Sequence, residues 1–130
     1  MNRHLVLISD LEFERILLGA ERYLIRFFKK RLDFINRLNV GDIIFFKKNR
    51  GEVLGQFNVG KIVLIEKIDD GDFKILKEFS ISLTKGEFDK KLQENNALVV
   101  VQIDNLEQFI TSPVDVPARI RKEWVVLGDK

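Results

Sequence analysis

Arg22-Tyr23-Leu24-Ile25-Arg26-Phe27-Phe28 decides the fold, because this stretch satisfies two periodicities at once. Phe13, Leu17, Ala20, Leu24 and Phe27 lie at helical spacing and would carry one helix through Gly19. Tyr23, Ile25 and Phe27 also alternate with Arg22, Leu24 and Arg26, as on a strand with two different faces. We read a strand, with Gly19 as the stop of a separate helix before it.

Working outward, Ser9 and Asp10 offer N-cap oxygens. Glu12 stands three residues after Ser9 as in a capping box, and Leu11, Phe13, Ile16 and Leu17 follow at helical spacing. Ahead of them His4-Leu5-Val6-Leu7-Ile8 reads as a buried strand. Residues 29–38 have the composition of a short helical turn, and Asn39-Val40-Gly41-Asp42 signals a turn before a strand that starts at Ile43. Lys47-Lys48-Asn49-Arg50-Gly51 suits a hairpin loop. Residues 53–65 then form a long β-branched run at the centre of the sheet, with Gly55 and Gly60 as places to bend or bulge.

Asp69-Asp70-Gly71-Asp72 opens a helix through Lys77, and Thr84 with Glu87 forms a second capping box ahead of Phe88 and Leu92. Ala97-Leu98-Val99-Val100-Val101-Gln102-Ile103 is the strongest strand, and Glu123-Trp124-Val125-Val126-Leu127 a closing one, linked through Pro113 and Pro117. No repeat or linker divides residues 1–130. The expectation is one α+β domain, a small mixed-sheet β-barrel with flanking short helices.

Composition narrows the chemistry. Apolar residues at 45% and charged residues at 32% describe a globular domain, and at 130 residues folding buries roughly two-thirds of the unfolded surface. Without cysteine there is no disulfide, thiolate ligand or cysteine nucleophile, and one histidine, His4, excludes a His-rich metal site and reads as structural. The aspartates around Gly71 lack calcium-loop spacing, and no phosphate-loop, dinucleotide or nucleophile-elbow motif occurs, so no cofactor is expected. Charges interrupt every apolar run and no leader is evident, which suggests a cytoplasmic chain without a membrane partner. High Lys and Glu with few Gln and Thr resembles the usage of heat-adapted proteins.

The net charge of +2 hides an asymmetry: residues 1–50 carry +5, residues 51–110 carry −4 and residues 111–130 carry +1. The basic half holds the candidate binding residues. Arg22 and Arg26 project from one strand face, four residues apart, as successive phosphates or a planar base would require. The alternative is an ion pair with Glu21 or Glu14. Lys29-Lys30-Arg31 and Lys47-Lys48-Asn49-Arg50 place six cations in loops, suited either to neutralising phosphates or to keeping a sheet edge solvated. Most of the eleven Phe are packing residues, Phe45, Phe57 and Phe88 among them. Tyr23 and Trp124 have polar handles and stay open to either role.

The order helix, Gly19, strand with Arg26, then Val40-Gly41-Asp42-Ile43-Ile44-Phe45-Phe46 resembles the ASCH and EVE branches of the PUA-like superfamily, small barrels many of which are linked to RNA. ASCH domains show Gly-x-Lys-x-x-Glu-x-Arg after their first helix. Here Gly19 and Arg26 match, while Glu21 and Leu24 stand where the Lys and Glu implicated in amide hydrolysis would be. The stretch from Gly55 to Ile62 and the ending from Pro113 to Leu127 also look like this group. The resemblance implies an RNA-binding module with a basic cleft of Arg22, Arg26, Lys47, Lys48, Arg50 and Arg119. Two alternatives stand beside it: a hydrolase of a nucleoside-like small molecule using Glu21, and a self-association module pairing the acidic middle with the basic end to form a homo-oligomer.

Overall fold

The chain, a computed structural model, is described over residues 1–29, 33–79, 81–111 and 122–129. Its elements run β1 (Asn2–Leu7), α1 (Asp10–Leu17), β2 (Tyr23–Phe28), α2 (Asp33–Asn36), β3 (Ile43–Lys47), β4 (Val53–Ile65), α3 (Asp72–Glu78), α4 (Lys85–Glu94), β5 (Ala97–Gln108) and β6 (Trp124–Asp129). The six strands form one sheet in the order β2-β5-β4-β3-β1-β6. β1 and β3 are parallel and every other pair is antiparallel, so the sheet is mixed, and it curls into a half-barrel with the four short helices around it.

The ambiguous stretch is a strand. Leu24 and Phe28 enter the main core with Phe13, Ile16, Ile44, Phe46, Phe57, Val99 and Val101, while Tyr23, Ile25 and Phe27 pack on the opposite face beneath α3 and α4. β5 is likewise two-sided, sending Val99 and Val101 one way and Leu98 and Val100 the other. A strand covered on both faces has no polar side, which is why 97–101 reads as a continuous apolar run. The helix ahead of β2 stops because Gly19 adopts φ +77, a left-handed conformation that costs a residue without a side chain little.

Local signals decided most boundaries. Ser9 Oγ accepts from Glu12 N at 3.2 Å, and Thr84 with Glu87 closes both halves of its capping box. The Asp69 and Asp72 carboxylates accept from backbone N–H groups of the turn around Gly71, while the N-cap of α3, Gly71 itself, has no side-chain cap. β5 runs five residues beyond the expected strand, passing a bulge near Asn105, whose φ is +52. A second register shift falls between Val59 and Ile62, around Gly60. Pro113 and Pro117 lie outside the described residues.

A buried polar chain anchors the β1-β3-β6 end of the sheet. The Trp124 indole Nε1–H donates to His4 Nδ1 at 3.1 Å, and His4 Nε2 lies 2.8 Å from Asp42 Oδ2. An indole can only donate, so Nδ1 must accept and the imidazole proton sits on Nε2, aimed at Asp42. Asp42 also accepts from the backbone N–H groups of Asn2 and Asn39, both at 2.9 Å. Trp124 stacks on Phe34 at 4.4 Å, fixing α2 to the same corner. His4 is therefore structural, and Trp124 joins it.

Burial pushes the His4 imidazole below its ordinary 6.5, outweighing the opposing hydrogen bond and charge of Asp42, while Arg37 adds to the lowering. Burial alone would raise the Asp42 carboxyl, but the hydrogen bonds from His4, Asn2 and Asn39 hold it below its usual range. A depressed histidine refuses in the folded state a proton that the unfolded chain takes up near 6.5. This contribution to stability is complete above that pH and is lost as the pH falls below it; the Asp42 contribution is lost only in more acid solution. The thermal midpoint should fall between pH 7 and pH 5, and the fall should flatten in His4→Gln. His4→Leu should cost about 2–3 kcal/mol in urea titrations, because a buried donor and a carboxylate lose their partner.

Candidate functional site

The sheet's order leaves β2 as an edge strand, and its unpaired side faces the end of β1 across a gap. Arg26 fills that gap. Its side chain is 10% exposed and is gripped by Glu12 of α1 through two parallel hydrogen bonds, Nη1 to Oε2 at 2.8 Å and Nη2 to Oε1 at 2.9 Å. The other two terminal N–H groups donate to the carbonyls of Leu7, at the end of β1, and of Ile25 on β2 itself. One guanidinium thus satisfies backbone acceptors on both sides of the opening and shields an edge that could pair with another chain.

A cavity of about 650 Å³ lies over this junction, lined in part by Ser9, Glu12, Arg26, Phe27, Asn49 and Lys91. Leu7, Ile8, Ile25 and Leu83 supply apolar walls and Glu123 completes the polar lining. Phe27 comes from the outer face of β2 and Arg26 from the inner, so the cavity wraps the strand edge. Lys91 holds its Nζ 5.9 Å from the centre of the Phe27 ring. The charges in the lining balance, Arg26 and Lys91 against Glu12 and Glu123. Concave shape, apolar wall and few convergent polar groups are what a ligand site needs.

The residues singled out from the sequence divide. Arg26 is in the cavity wall, paired with Glu12 rather than with Glu21 or Glu14. Arg22 precedes β2 and is exposed, its carbonyl accepting from Ile103 N. Lys47 is 1% exposed and donates to the carbonyl of Lys48 at 3.0 Å, so its ammonium is committed inside the fold. Lys48 pairs with Asp10 Oδ1 at 2.8 Å, drawing the hairpin onto the start of α1, and exposed Arg50 sits at its tip with φ +60. Asn49 between them reaches the cavity. Arg119, Lys30 and Arg31 lie outside the described residues.

Glu21 is buried and faces Arg15 at 4.0 Å, and Leu24 is fully buried in the core; neither lines the cavity. Sequence reasoning missed Glu12, Glu123, Lys91 and Phe27. From the sequence Glu12 reads as half of a capping box. Ser9 does accept from its backbone N–H, but its carboxylate turns to Arg26 instead of returning to the cap. A carboxylate in the first turn of α1 ahead of an arginine on the next strand was the available signal.

No protein-family model and no curated protein matches the chain. Among solved structures, it is similar to the ASCH protein of Zymomonas mobilis, with a TM-score of 0.60 at 11% identity over 82% of this chain and 69% of that one. A single-residue variant of that protein gives 0.61 at 10% identity, covering 83% and 73%. The hypothetical protein PH0355 gives 0.55 at 14% identity, covering 81% and 97%. The likeness shows the fold: the chain has the ASCH-type, PUA-like architecture that its sequence resembles.

Glu12→Ala leaves the Arg26 charge short of its bidentate partner and should cost about 2–3 kcal/mol, less than a wholly buried pair because Glu12 is 24% exposed. Arg26→Lys should lose nearly as much, since an ammonium cannot span both carbonyls and the carboxylate. Chemical denaturation of the two variants beside the parent checks both.

Proposed function

We propose that this ASCH-type fold serves as an RNA-binding module and that its ligand enters the cavity beside the β2 edge. The observation that carries the reading is the pairing of Phe27 with Lys91 at the cavity wall. An unstacked base can lie against the aromatic ring while the ammonium, exposed on α4, meets the adjoining phosphate. Ser9 and Asn49 offer side-chain donors and acceptors to a base edge.

The expected cationic residues take different parts in this reading. Arg22, Lys48 and Arg50, whose side chains are wholly or partly exposed, contact phosphates, and Arg119 is the remaining cation of this set. The four terminal N–H groups of Arg26 hold the shape of the cavity, and the Lys47 ammonium is committed inside the fold. Affinity then comes from exposed cations around a nearly neutral pocket, which makes binding sensitive to salt while leaving the pocket free to select.

Fluorescence anisotropy with labelled single-stranded RNA, duplex RNA and DNA tests the proposal. Single-stranded RNA should bind at micromolar levels or tighter, and with roughly four phosphates neutralised the log affinity should fall with log salt at about −0.7 per phosphate. Lys91→Ala and Arg50→Ala should each weaken binding several-fold and reduce that slope by about 0.7. Absence of binding to all three nucleic acids, or a flat salt profile, would overturn the reading.

A further inference from the structure

Glu123 stands apart from the other groups around Arg26. Its carboxylate oxygen lies 2.7 Å from Arg26 Nε, yet Nε has no hydrogen-bond partner in line with its N–H. The four other guanidinium N–H groups are fully used by Glu12, Leu7 and Ile25. Arg26 therefore keeps one donor without a proper acceptor, on a side chain nine-tenths buried in the cavity wall. What shields that donor is a side chain 59% exposed.

The Glu123 backbone is held by its neighbours. Leu7 N donates to the Glu123 carbonyl at 2.9 Å, and the next residue, Trp124, is locked by His4 and Phe34. Rotation of the 59% exposed Glu123 side chain into solvent would uncover Arg26 Nε. With Glu123 turned away, the cavity lining changes from balanced to one net positive charge, from Arg26 and Lys91 against Glu12. A site in that state accepts one anionic oxygen, restoring the balance and giving the stranded donor an acceptor.

We infer that the Glu123 carboxylate is an intramolecular stand-in for a ligand phosphate, a self-inhibitory plug that a phosphodiester oxygen displaces from Arg26 Nε. This rests on the RNA-binding reading and adds its regulation: occupancy of the cavity competes with the protein's own side chain. A partly exposed ion contact is weak, so the plug tunes affinity rather than blocking the site.

Anisotropy on single-stranded RNA at low salt, comparing the parent with Glu123→Ala, Glu123→Asp and Glu14→Ala, tests the inference. Glu123→Ala should bind about two- to five-fold tighter, the range set by the strength of such contacts. Glu123→Asp, which keeps the charge but shortens its reach, should also tighten binding, whereas Glu14→Ala, an equal charge change on the exposed side of α1, should do less. RNA binding by the parent with equal shifts in Glu123→Ala and Glu14→Ala, or with Glu123→Asp unchanged, would overturn the plug and leave the RNA reading intact. If none of the proteins binds RNA, that reading falls, and inorganic phosphate decides the plug. A thermal midpoint that begins to rise at lower phosphate concentration in Glu123→Ala than in the parent upholds it, while identical responses overturn it.

Discussion

The Arg26 guanidinium is the constraint on which the open side of this half-barrel depends. A curled sheet with a free β2 edge must satisfy the carbonyls that no neighbouring strand takes up, and Arg26 does so for Leu7 and Ile25 while holding α1 through Glu12. A buried charge is tolerated only when paired and hydrogen-bonded, so the pair adds little net stability but fixes one geometry. The cavity exists because the edges are bridged by a side chain instead of by a strand.

The opposite corner uses a second polar device for a different purpose. Trp124, His4 and Asp42 form a chain in which every proton position follows from the indole donor at one end. It pins the first residue of β6 against β1 and the turn before β3. Because Glu123 immediately precedes Trp124, the same lock sets where that carboxylate stands relative to Arg26. Core order and cavity chemistry are thus joined through one peptide bond.

Charge is divided between these two regions and the surface. The lining of the cavity balances, whereas Arg22, Arg50 and Lys48 lie outside it.

The sequence by itself determined the strands, the helix caps, the turn at Asn39-Val40-Gly41-Asp42 and the packing role of most phenylalanines, because each depends on neighbours within a few positions. It also marked Gly19 and Arg26 as a related pair of landmarks, and through them the fold. Only the tertiary structure decided what Arg26 does. Glu12 is fourteen residues away and Glu123 nearly a hundred, and no periodicity records that they meet. Likewise Lys47 reads as a loop cation but is the last residue of β3 and fully enclosed, since whether a basic side chain is solvated or committed depends on what folds over it. Lys91 and Phe27 came together when a helix from the second half of the chain was laid across the edge of a strand from the first.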